Sequence, residues 1–282
     1  MKKILSLALT SGIAFCFSSA FGQKPVNAKK DWKLGVAMYT FHTVSFPDAL
    51  AKVDSAGIDY IEAMTFHKSG IALKDSLISQ LSPGGVAKLK KMVADRGMKV
   101  ESIYLGGGKT VESWKKEFEI AKQLGVKFVT AEPPVKMWDS IDSLAGVYGM
   151  KVAIHEHWKG VSAYWHPDSV LAAIKNHPNF GACADLGHWP KSGIDPVEGV
   201  KKLAGHIIAI HLKDIAAFND PKLKDVTIGT GVVNFPAVFA ELKKQGFKGN
   251  IYIEKDVEML PSNLQSVLES VKYYNAEVGK LK

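Results

Sequence analysis

Eight short apolar runs, separated by segments with helical spacing, constrain this chain more than any other feature of it. They are Leu34–Tyr39, Ile58–Met64, Lys99–Leu105, Lys127–Ala131, Lys151–His155, Gly181–Asp185, His206–Leu212 and Asn250–Glu254. As a set they are rich in Val, Ile, Tyr and Phe and read as strands. The spacing between them is helical. Val86, Leu89 and Val93 follow a Ser82-Pro83 start and precede Gly97, and Trp114, Phe118 and Ala121 precede Gly125. Near the end, Leu264, Val267, Leu268, Val271 and Tyr274 form an amphipathic stripe. Strands alternating with helices imply βαβ units and a parallel sheet. Eight such units in about 250 residues imply an α/β fold of one domain, a closed (β/α)8 barrel. The runner-up, an open doubly wound sheet, would carry a glycine-rich turn after its first strand, where this chain reads YTFHTVSF.

The first 22 residues read as a processing signal. Lys2 and Lys3 precede an apolar run from Ile4 to Phe17, and Ala20-Phe21-Gly22 places small residues before Gln23. The run is shorter than the ~20 residues of a membrane span. The expectation is therefore a signal peptide (1–22), export to the periplasm and no stable membrane insertion after cleavage. A short N-terminal segment (23–31) and the barrel (32–282) would remain. Without the signal, Cys183 is the one cysteine left, so no intrachain disulfide can form. Inside an apolar strand it reads as a small buried hydrophobe. The net charge of +8 comes without a run of Lys/Arg interleaved with aromatics, which argues against a nucleic-acid partner.

A barrel of this kind keeps its active site at the C-terminal ends of its strands, and the chemistry-bearing residues gather there. Strand two ends near Glu62 and strand four at Glu132. Strand five ends in His155-Glu156-His157-Trp158, strand six in Asp185 and His188, strand seven in His211 and Lys213, and the last in Glu254. Side chains alternate along a strand, so His155 and His157 share a face and Glu156 takes the other. The stretch from Gly181 to Asp214 reads as two adjacent walls of a metal site, because buried Asp and His need partners. Trp158, Trp165 and Trp189 are candidates for sugar-stacking walls, with packing under long loops as the alternative. Gly106-Gly107-Gly108 reads as a flexible loop rather than a phosphate cradle, since no Lys-Ser/Thr follows in register.

The segments VAIHEHW, ACADLGHW, IIAIHLKD, IGTGVVNF and NIYIEKD occur in this order. With them the chain resembles the sugar isomerase/epimerase family of xylose-isomerase-like TIM barrels, over essentially its whole mature length. The resemblance implies four strand-end ligands, usually Glu, Asp, His and Glu, around one divalent metal ion (Mn, Co, Zn or Mg). The Asp of the D-x-x-H segment falls on Asp185, the His of H-x-K-D on His211 and the final Glu on Glu254. The substrate-contacting His of D-x-x-H falls on His188. Strand five departs from the family pattern, with His155 at the position of the first Glu ligand.

With one carboxylate replaced, single-base chemistry next to a carbonyl, aldose–ketose isomerisation or β-elimination, is favoured over two-base epimerisation. The expected substrate is a free sugar, keto-sugar or keto-glycoside. Export argues against phosphorylated sugars, and Arg96, the only arginine, lies at a helix end. Glu254 or Glu132 would take the proton, with Glu132 also a candidate for the fourth ligand in place of His155. His188, His157 and Lys213 would orient hydroxyls or return protons, and Glu62 and Trp189 would contact substrate. The rival readings are a periplasmic sugar-binding protein on a decayed barrel and, remotely, an abasic-site endonuclease-like hydrolase. Exposed helices of such barrels often pair, which allows a homodimer.

Overall fold

The computed structural model describes residues 26–256 and 262–281, so the expected signal at 1–22 lies outside the described residues. The seven first barrel strands are Lys33–Ala37 (β1), Tyr60–Met64 (β2), Lys99–Tyr104 (β3), Phe128–Ala131 (β4), Lys151–His155 (β5), Phe180–Asp185 (β6) and Ile207–Leu212 (β7). A ribbon of Asp214–Ile215 (β8) and Asp225–Val226 (β9) follows, and Asn250–Ile253 (β10) is the eighth barrel strand. All eight barrel strands pair in parallel, and β10 closes the ring onto β1 through Lys33↔Asn250 to Val36↔Ile253. The expected closed (β/α)8 barrel is the fold. Each expected run holds one barrel strand. Tyr39 falls outside β1, in a turn of 3-10 helix over Met38–Phe41.

Helices Phe46–Ser55, Pro83–Ala94, Val111–Leu124, Trp138–Tyr148 and Pro167–Ile174 cover the outside of the first half. His188–Lys191, Pro196–Lys202, Phe235–Lys244 and Asn263–Lys280 cover the rest. Their starts follow the local chemistry. Ser82 Oγ accepts from Gly85 N ahead of Pro83, and Thr110, Asp195, Asn234 and Ser262 cap in the same way. In the last helix the buried face is Ser266, Val267, Ser270, Tyr274 and Val278, whereas Leu268, expected inside, is 39% exposed. The two serines let the helix sit close. Ser266 Oγ lies 3.0 Å from Thr227 Oγ1, and Ser270 Oγ returns a hydrogen bond to Ser266 O. Among the described residues no helix is long and apolar enough to cross a membrane.

One clamp fixes the loop between β9 and Phe235. Asp214 is fully buried, and its carboxylate accepts from the backbone N–H of Ile215, Gly229, Gly231 and Val233 at 2.8–3.2 Å. The segment IGTGVVNF thus wraps its amides around one carboxylate, and its glycines are structural. A Cβ on Gly231 would collide with the Ile215 carbonyl oxygen and the Asp214 carboxylate. We expect Gly231→Ala to destabilise the protein by about 1–3 kcal/mol, seen as a lowered urea midpoint at unchanged m.

Candidate metal and substrate site

Four strands deliver four donors to one point. His155 ends β5, Asp185 ends β6, His211 lies in β7 and Glu254 follows β10, and all four are buried. Their donor atoms lie within 4.8 Å of one another. His155 Nε2 is 3.4 Å from Asp185 Oδ2 and 3.9 Å from Glu254 Oε2, while His211 Nδ1 is 3.0 Å from Glu254 Oε2 and 3.9 Å from Asp185 Oδ2. Tetrahedral ligands at metal distances of about 2.1 Å stand about 3.4 Å apart, and these four edges bracket that value. Among the described residues His155 Nε2 has no hydrogen-bond partner despite its burial, and Asp185 Oδ2 makes only ion pairs, with the Lys213 ammonium at 3.2 Å, as expected of atoms that face a cation. The residues present fit a divalent metal.

The supporting contacts aim the ligands. His211 Nε2 lies 2.8 Å from Glu62 Oε2, which favours a tautomer with the Nδ1 lone pair free for metal. Glu62 in turn accepts from Ser102 Oγ at 2.8 Å and from Thr130 Oγ1. Asp185 Oδ1 accepts from the amides of Gly187 and His188, both at 2.9 Å, leaving Oδ2 for the cluster. Burial alone would raise Asp185 and Glu254, but the neighbouring imidazoles and the Lys213 ammonium hold both well below the usual carboxylate range. Burial alone would lower His155, yet Asp185 and Glu132 on either side hold its imidazole up at about 9.

A cavity of about 250 Å³ opens onto these donors, lined by Tyr39, Glu62, Met64, Phe66, Tyr104, His155, His157, Glu254 and Asp256. Expected residues Glu62, His155, His157 and Glu254 reach it. Glu132 does not line it. Its Oε1 accepts from His157 Nδ1 at 2.5 Å and from Tyr104 OH at 3.2 Å, and Oε2 from Ser162 Oγ. Burial would raise Glu132, but the His155 imidazole 3.7 Å away and the hydrogen bond from His157 hold it below its ordinary value. Glu132 is therefore the carboxylate behind His157.

His188 and Lys213 are fully buried and also stand off the cavity wall. The Lys213 ammonium reaches Asp256 Oδ1 at 2.5 Å, Glu254 Oε2 at 3.0 Å, His188 Nε2 at 3.0 Å and Asp185 Oδ2 at 3.2 Å. His188 stacks under His157, with centroids 4.7 Å apart. Trp189 requires a correction. It is fully buried with its ring against Gly199, in the apolar core and not on the cavity, so it offers no face to a sugar.

Glu156 does not line the cavity either, as alternation requires, and burial raises its carboxyl well above the usual range. The Gly106–Gly108 loop is pinned rather than free: Gly107 N donates to Glu117 Oε2 at 2.8 Å and Trp114 Nε1 to Gly108 O at 3.0 Å.

Sequence reasoning missed Tyr39, Tyr104 and Asp256. Asp256 had a signal, because it stands two residues beyond Glu254 and alternation points both the same way. The aromatics had none, since strand-end tyrosines look like core.

A sequence model of the family described as xylose isomerase-like TIM barrel matches residues 50–276. The chain is 34% identical over 146 residues to an uncharacterised protein of Methanocaldococcus jannaschii, a match covering 46% of this chain and 48% of that protein. It is 27% identical over 228 residues to an inosose isomerase of Bacillus licheniformis, covering 70% of this chain and 79% of that enzyme. The chain thus spans about half the length of one of these curated relatives and more of the other. A solved structure of an uncharacterised protein from Parabacteroides distasonis superposes with a TM-score of 0.69 at 34% identity, over 87% of this chain and 99% of that one.

Two predictions follow from the geometry. Mature protein loaded with zinc or manganese should hold about one ion per chain by elemental analysis, and Asp185→Ala or His155→Ala should lower that occupancy at least tenfold. Burial pushes the Cys183 thiol up to about 12, so Cys183 should stay unmodified by iodoacetamide at pH 8 and become labelled only on denaturation. Peptide mass mapping reads this residue separately from Cys16.

Proposed function

The chain belongs to the xylose isomerase-like TIM barrel family, and on that footing we propose a divalent-metal-dependent isomerase acting beside the carbonyl of an unphosphorylated sugar or sugar derivative. The observation that carries this reading is the donor set of two imidazoles and two carboxylates opening onto a cavity that also holds a carboxylate-backed histidine. A bound cation would polarise a carbonyl and its neighbouring hydroxyl, and so stabilise an enediolate. The nitrogen-rich set favours Zn, Mn or Co over Mg.

This chain's own residues would divide the proton work. Glu254, at the cavity floor, takes the proton from the carbon next to the carbonyl and returns it to the adjacent carbon. His157, oriented by Glu132, moves the hydroxyl proton between the two oxygens. Glu62 and Asp256 accept hydrogen bonds from the remaining hydroxyls. Lys213 holds Asp185, Glu254 and Asp256 in place from behind.

The charge of the cavity supports a neutral substrate. Three carboxylates and no Lys or Arg line it, so a phosphate group would meet like charge. The reading of residues 1–22 as an export signal agrees, because phosphorylated sugars are chiefly cytosolic; we propose a periplasmic location on that ground.

The test is incubation of the metal-loaded protein with unphosphorylated ketoses, aldoses and keto-glycosides in deuterated water. We expect deuterium at one carbon, with His157→Ala lowering kcat by about 10²-fold or more. Exchange with phosphorylated sugars alone would sink the substrate reading. Deuterium entering from both faces would sink the single-base assignment, and binding without exchange would leave a sugar-binding protein.

A further inference from the structure

One wall of the cavity is aromatic, and the proton chemistry proposed above makes no use of it. Tyr39, Met64, Phe66 and Tyr104 share the lining with the polar residues. Phe66 is the exposed member, with 39% of its surface open. Other exposed apolar side chains, such as Ile71 and Val147, lie outside this cavity and are ordinary surface residues.

The backbone around Phe66 is held on both sides. Thr65 N donates to Tyr104 O at 2.9 Å, Gly106 N to Thr65 Oγ1 at 2.8 Å and Ser79 N to Thr65 O at 2.7 Å. On the other side His67 Nε2 lies 2.9 Å from Val44 O, and Ile78 N donates to His67 O at 3.0 Å. The ring rests over Gly106, where an added Cβ would come within 3.4 Å of it. An exposed aromatic ring on a fixed backbone is a preorganised contact that loses little entropy when covered.

Its position relative to the donors sets what can cover it. Rings step outward from the metal site: His155 to Tyr104 at 5.4 Å and 72°, then Tyr104 to Phe66 at 5.8 Å and 86°. Tyr104 flanks the donors, and Phe66 is the next ring along this wall, at the half-open edge of the cavity.

We propose that Phe66 is the platform for an apolar aglycone, so that the substrate is a keto-glycoside, which keeps a carbonyl in its sugar ring, rather than a free monosaccharide. This rests on the sugar-site reading given above and narrows it. The sugar ring occupies the inner cavity and the aglycone covers Phe66 at its edge. Phe66 is thus a specificity-determining residue, and it takes no part in moving protons.

Calorimetric titration of the metal-loaded protein with matched methyl and phenyl β-glucosides, β-galactosides and β-xylosides, analogues that lack the carbonyl and so bind without reacting, tests this. In at least one pair the phenyl member should bind about tenfold more tightly, a difference of about 1.4 kcal/mol. Phe66→Ala should bring that ratio close to one, and Phe66→Trp should keep it. A ratio near one for every pair in the unaltered protein would overturn the proposal, as would a ratio that survives Phe66→Ala or the absence of binding throughout the panel. Calorimetry reads binding and not turnover. A protein that moves no protons but shows the ratio would therefore fail the isomerase reading alone.

Discussion

An ammonium buried at the rim of a barrel must be surrounded by acceptors, and Lys213 imposes that requirement on four neighbouring residues. Its Nζ holds Asp185 from β6, Glu254 and Asp256 after β10, and His188 from the turn after β6, all within 3.2 Å. A lone charge in this position would cost several kcal/mol; here the carboxylates offset the cost. Asp185 and Glu254 are themselves held low by the neighbouring imidazoles and by this same ammonium. The lysine is therefore part of how the candidate donors are charged and aimed, although it stands off the cavity wall.

The imidazole at residue 155 changes the balance of this cluster. Two carboxylates and two neutral imidazoles match a dication with no excess charge, whereas a third carboxylate would leave the set anionic. His155 faces Asp185 on one side and Glu132 on the other, at 3.4 and 3.7 Å. The carboxylate lost from the donor set has a counterpart one layer out, where Glu132 backs His157 at 2.5 Å. A carboxylate–imidazole pair at the cavity is a conventional proton-transfer device, and its histidine is the partner that faces the cavity.

The motif-bearing segments divide into those that serve chemistry and those that serve the scaffold. In IIAIHLKD the histidine joins the candidate donor set, the lysine braces its carboxylates, and the aspartate clamps the amide of Ile215 and three amides of the loop that carries IGTG. Three consecutive functions in one strand end follow from the geometry of a barrel rim, where alternate residues face the axis and their neighbours face the covering loops. The same logic separates Glu254 and Asp256, which line the cavity, from Lys255, which is buried with its ammonium on the Val226 carbonyl.

By itself the sequence determined the eight strands, their parallel closure and the rim positions of His155, Asp185, His211 and Glu254. Those depend on period, local capping and order along the chain, which are local properties. It also allowed the face of Glu156 to be read from alternation. It could not separate a side chain on the cavity from one beneath it. Glu132, His188 and Lys213 carry the same chemistry as Glu62, His157 and Glu254, and only the packing of β4 to β7 with their loops placed the first three behind the last three. Trp189 looked like a stacking wall because a tryptophan beside a ligand motif has two equivalent destinies, and its fit against Gly199 chose the core. Tyr39, Phe66 and Tyr104 come from three separate strand ends, and the closing of the barrel alone made them one wall.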